Sequence, residues 1–162
     1  MTHYPMRRTL CYAILVCMSS IIVLAQTQTR HRKALDPEEW VYLTKSEDRI
    51  VYYRPKKITM VGPSMRQLWI KFVPRDIEKA NEQRRVKLAG MNLPADRFGI
   101  LSYSFTLYET NCKTREERPK ATIEYDKNDK IILSMENLDL PWSVTVPETI
   151  DEKIVDAACV SR

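Results

Sequence analysis

One segment constrains the fold of this chain more than any other. From Leu101 to Leu107, large and small side chains alternate without a break. Leu101, Tyr103, Phe105 and Leu107 fall on one side of an extended chain, and Ser102, Ser104 and Thr106 on the other, because successive strand residues point to opposite faces. The spacing predicts a strand from Ile100 to Cys112 that buries its bulky row. Its register is fixed, since a slip of one residue would exchange the two rows. Cys112 shares parity with the small row. If no bulge intervenes, a bond made by Cys112 leaves from the small-residue face, and another element must lie against the short side chains there.

The C-terminal segment supplies a candidate for that element. Pro147 to Val160 reads as a helix: proline suits a first turn, and Thr149 with Glu152 fits a capping box. Glu148 and Asp151 place negative charge near the positive end of the dipole. Ile150, Ile154, Ala157 and Ala158 recur at helical spacing with Val155 beside them, and Cys159 closes the segment. The simplest construction lays this helix across the small-residue face, pinned by Cys112 and Cys159.

Whether those two cysteines meet depends on compartment. The sequence has 4 Cys, and Cys11 and Cys17 both lie in residues 1–25. That stretch carries Arg7-Arg8, an apolar run from Leu10 to Leu24, and Val23-Leu24-Ala25 before Gln26, which is the order of a cleaved secretory signal. The run is shorter than the roughly 20 residues of a membrane span. Cleavage after Ala25 lowers the formal net charge of +5 by two and weakens any argument for nucleic acid from basicity. In the oxidising compartment that follows, Cys112 and Cys159 form one disulfide or remain two thiols. The disulfide would close a loop of about 50 residues, which the chain-entropy relation equates with roughly 4 kcal/mol.

The remaining chain reads as one domain, 38–162, behind a basic disordered lead-in at 26–37 that contains Arg30-His31-Arg32-Lys33. Trp40 to Thr44, Ile50 to Tyr53, Lys57 to Val61 and Arg66 to Val73 are β-branched and aromatic, and turn formers bound each of them. Pro55 and Pro74 end their strands. Together they predict an antiparallel meander. Ala121 to Tyr125 and Ile131 to Met135 form a second hairpin around Lys127-Asn128-Asp129, with Ile131, Leu133 and Met135 as one row. Between the two groups, Asp76 to Leu88 predicts an exposed helix ending at Gly90, with Arg84, Arg85 and Lys87 on a solvated basic end.

Chemistry is sparse. His31 is the one histidine after the signal, which leaves no nucleophile–histidine pair in the folded part and no zinc cluster. Gly62, Gly90 and Gly99 make no phosphate-cradling loop. Glu109, Glu124 and Glu136 lie on adjacent predicted strands, where pairing with Lys or Arg is the usual role and acid–base work the rarer one. Two surfaces are candidates for binding. The first is the aromatic-basic segment Tyr52, Tyr53, Arg54, Lys56 and Lys57; the second is Lys79, Arg84, Arg85 and Lys87. Trp40, Tyr42, Trp69 and Tyr108 either join the first as a platform or pack in the core.

Several of these features fall in a familiar order: Trp40, Tyr52-Tyr53, Ile58, Trp69, Cys112-Lys113-Thr114-Arg115, Pro141-Trp142 followed by Pro147, and Cys159. The layout resembles the bacterial surface-adhesin protein E-like domain from about Trp40 to Cys159. That resemblance implies an α+β fold, with a bent antiparallel sheet of about six strands and a disulfide-tied C-terminal helix on one face. It also implies binding of extracellular-matrix proteins and dimerisation. The chain departs from the family's named member in lacking a lipid-attachment cysteine and in carrying the basic segment from Asp76 to Asp96. The expectation is an exported, non-enzymatic envelope or surface module with a protein partner, no cofactor, no metal and no nucleic acid. A carboxylate-based periplasmic hydrolase or isomerase and a structural envelope subunit are the competing readings.

Overall fold

The alternation at the centre of the sequence becomes the centre of the sheet. The structure, a computed structural model, describes residues 40–94 and 98–160; the expected signal and lead-in lie outside these. The strands are β1 (Val41–Lys45), β2 (Arg49–Tyr53), β3 (Thr59–Met60), β4 (Met65–Pro74), β5 (Tyr103–Asn111), β6 (Glu116–Tyr125), β7 (Ile131–Met135) and β8 (Ser143–Val144). Helix α1 (Ile77–Gly90) joins β4 to β5, and α2 (Ile150–Val160) closes the chain. The strands form one antiparallel sheet of 8, ordered β1-β2-β4-β5-β6-β7, with β3 beside β4 and β8 beside β6.

Register decides what each face carries. Leu68, Ile70 and Phe72 of β4 lie opposite Tyr108, Thr106 and Ser104 of β5, so the small-residue row of β5 shares a face with the apolar row of β4. Helix α2 covers that face. Val51, Leu68, Ile70, Ile154 and Ala158 are fully buried together, with Leu43, Tyr53, Ile58, Phe72 and Tyr108 packed around them. Each large side chain so buried stabilises the fold by about 1.5–3 kcal/mol. Cys112 continues the parity of Thr106, Tyr108 and Thr110, and it is bonded to Cys159 at a Cα separation of 5.5 Å. The pinned-helix construction is therefore the observed one.

Three local details differ from the sequence reading. Strand β6 begins at Glu116, well before Ala121, and holds Pro119 opposite Tyr108 at a register shift that leaves Lys120 over. Proline is tolerated in a sheet interior at such a bulge, and Pro119 falls between the stretches of β6 that pair with β8 and with β7. A second bulge splits the expected row of β7: Leu133 lies opposite Glu124 but Ile131 lies opposite Tyr125, so Ile131 faces the other way. At α2, Glu152 N–H donates to Thr149 Oγ1 (3.3 Å), while the Glu152 carboxylate accepts from the Glu148 N–H (3.0 Å), one residue earlier than a capping box requires.

Candidate functional site

The sheet face away from α2 carries the aromatic and basic side chains. Trp69, opposite Leu107, and Lys71, opposite Phe105 and Tyr52, belong to it by register. Phe105 is the base of a short stack. Trp40 lies parallel to it with ring centroids 4.9 Å apart, and the Arg54 guanidinium sits 4.4 Å above the Trp40 ring. Tyr103 and Tyr125 stack beside it at 4.9 Å, and the Lys71 ammonium is 4.5 Å from the Tyr103 ring. Such cation–ring contacts contribute roughly 0.5–2 kcal/mol each, the more so where water is excluded. Burial lowers the Lys71 pKa, and Asp129 opposes that shift. Burial together with the hydrogen bond from Tyr103 Oη to Asp129 (2.9 Å) raises the Tyr103 pKa.

Next to this stack, Arg54, Lys57, Thr59, Gln67, Trp69 and Leu107 line a shallow recess of about 320 Å³. The chain reaches it through one turn of 3-10 helix at Pro55–Lys57, where proline ends β2 and leaves Lys56 and Lys57 exposed. Farther along the same face, Arg118 pairs with Glu109 at 2.7 Å and lies 4.4 Å over the Trp142 ring.

The expected surfaces are thus resolved residue by residue. Arg54 and Lys57 line the recess, Lys56 is exposed in the turn beside it, and Tyr52 lies on the same sheet face as Tyr42 and Lys71. Tyr53 and Tyr108 turn the opposite way into the core under α2. Lys79, Arg85 and Lys87 are exposed on α1, whereas Arg84 is not part of a solvated end. It is 7% exposed, with Nε donating to Glu124 Oε2 at 2.5 Å and Nη1 donating to the Gly99 carbonyl at 3.1 Å. The two basic surfaces are not brought together. The recess lies at Gln67 and Trp69, while α1 starts beyond Pro74, roughly 20 Å along the same strand. Ala80, Arg84 and Leu88 follow at four-residue steps on one helix face, and this spacing is the signal that Arg84 points inward.

The carboxylates do not converge. Glu109 and Glu124 face opposite sides of the sheet and each is held by an arginine, and Glu136 is exposed. Sequence reasoning missed Glu117, which lies opposite Thr110 under α2 and is 5% exposed, its Oε2 without a hydrogen-bond partner. Burial, with Asp151 nearby, pushes its pKa up to about 7. Among the described residues, no group of three or more His, Cys, Asp or Glu could hold a metal ion, and no helix is long and apolar enough to cross a membrane.

An open antiparallel sheet with its C-terminal helix tied by a disulfide across one face, and with aromatic and basic side chains on the other, defines a small α+β domain of distinctive build. The profile of the family described as surface-adhesin protein E matches residues 40–160. The chain belongs to that family. No curated protein and no solved structure matches it.

Proposed function

We propose that this protein is an exported, non-enzymatic interaction module of the bacterial envelope or cell surface. In this reading it holds an extracellular protein partner through the recess bounded by Arg54, Lys57, Gln67 and Trp69. The observation that carries the reading is the Arg54–Trp40–Phe105 stack beside that recess. Rigid aromatic side chains give contact area at low entropic cost, and arginine and aromatic residues are enriched where protein interfaces concentrate their binding energy. Family membership supports the same reading, since the family is one of surface adhesins. Lys56 and Lys57 beside the recess favour a partner with acidic groups, whose approach they would accelerate at low salt.

The test is adhesion of the purified protein to immobilised basement-membrane extract. Lys56→Glu with Lys57→Glu is expected to lower binding about tenfold without changing the melting temperature, because both side chains are exposed. Unchanged binding in that double variant overturns the recess as the contact surface. Cell fractionation checks the compartment, and recovery of the protein with the cytoplasm overturns the exported reading.

A further inference from the structure

The other side of the sheet holds a second, larger opening. Helix α1 is polar around most of its circumference, and only Arg84 and Leu88 are buried along its length. A helix of that kind cannot seal an apolar interface. It is tethered to the sheet region by the Arg84–Glu124 pair and to the segment before β5 by Asn81, which donates to the Leu101 carbonyl at 3.1 Å and accepts from its N–H at 2.8 Å. The gap left beside it is a cavity of about 410 Å³, within the range of pockets that take small organic ligands.

The lining is arranged by register. Phe72, Ser104 and Glu124 are direct partners on β4, β5 and β6 and form a floor running from an apolar ring through a hydroxyl to a carboxylate. The Arg49 guanidinium stands 5.6 Å from the Phe72 ring. Most of the acidic groups are already engaged: Glu124 by Arg84, Asp48 by Arg49 and Ser46, and Asp76 by the Lys79 N–H at the start of α1; Glu47 is the exception. On the cationic side, Arg84 lines the cavity while buried, and its Nη2 has no hydrogen-bond partner. Lys79 and Lys87 line the same cavity and make no ion pair among the described residues. Leaving a buried guanidinium nitrogen unsatisfied carries the desolvation penalty of a charged group, and an incoming anion would remove that cost.

We infer that the cavity between α1 and the sheet binds a small organic monocarboxylate carrying a flat apolar group. The carboxylate meets Arg84 Nη2 with Lys79 and Lys87 beside it, and the apolar group lies on Phe72 and Leu101. The weakly packed α1 yields by the small displacement that admits the carboxylate to Nη2. This site lies on the face opposite the proposed protein-binding recess and is independent of it.

The experiment is a titration of the oxidised, isotopically labelled protein followed by amide chemical shifts, with 3-phenylpropionate as probe and 3-phenylpropanamide as its uncharged counterpart. The expected result is saturable shifts at Ala80, Gln83, Ser104 and Glu124, with the acid binding about tenfold more tightly than the amide. Lys79→Gln with Lys87→Gln should weaken the acid severalfold while leaving the amide unchanged. Both side chains are exposed, so the variant folds. Ser104→Leu, which fills the floor, should abolish both. Absence of saturable shifts up to about 10 mM probe, equal affinity for acid and amide, shifts centred on Trp69, or an unaltered acid affinity in the lysine variant each overturns the site.

Discussion

The two helices lie on the same face of one sheet and are held there by opposite means. Helix α2 presents Ile154, Val155 and Ala158, all fully buried, and a covalent bond ties its end to β5. Helix α1 presents an arginine where α2 presents an isoleucine, and most of its remaining surface is polar or charged. Apolar area is non-directional and closes every gap it can. An ion pair is directional and fixes two atoms while leaving the space around them open. The cavity beside α1 follows from that difference.

The contrast breaks first at the disulfide. Replacing Cys112 and Cys159 together by serine should lower unfolding free energy by roughly 4 kcal/mol, read from denaturant midpoints; a loss below about 1 kcal/mol would mean that apolar packing alone secures α2. Ile154→Ala is next, at roughly 2–4 kcal/mol for a fully buried side chain, measured the same way.

Glu117 gives the pH arm. Its carboxyl titrates near 4.5 when unfolded and at about 7 when folded, so the unfolded chain releases the proton first. The contribution of Glu117 to stability is therefore fully present below about pH 4.5, is lost as pH rises through that window, and stays at its lower level above about pH 7. Glu117→Gln should flatten this slope and raise stability at pH 8 by about 2 kcal/mol, measured by melts across the pH range.

Glu124→Ala tests α1 directly. Stranding a buried charge ordinarily costs about 3–5 kcal/mol, but here α1 can lift and return Arg84 to water. A global loss of only about 1 kcal/mol is expected, with hydrogen-exchange protection lost from Lys79 to Leu88 and retained in α2. The smallest effect belongs to Arg85→Ala on the exposed side of α1, which among the described residues pairs with Glu82 and should change stability by less than about 0.5 kcal/mol.

The same contrast explains what could be read from the chain. α2, β5 and their bond were legible because alternation, helical spacing and two cysteines point to one arrangement. The start of β6 was not. Glu116 to Lys120 is polar and contains Pro119, and propensity argues against a strand that pairing with β5, a bulge and the short β8 make possible. Arg84 was read as solvated because charge outweighed position, although Ala80 and Leu88 bracket it at helical steps. The aromatic stack is partly legible: composition marks Trp40, Trp69 and Tyr52 as a group, but only register separates them from Tyr53 and Tyr108.

The pairing of α2 with β2 and β4 also sets an order in time. Val51, Leu68 and Ile70 precede Ile154 and Ala158, which cover them, by more than half of the domain. Contacts so distant along the chain are slow to form, and an oxidant cannot join Cys112 to Cys159 until nearly the whole polypeptide is available. The domain therefore stays incompletely folded until α2 has been made, and the disulfide can lock it only after that.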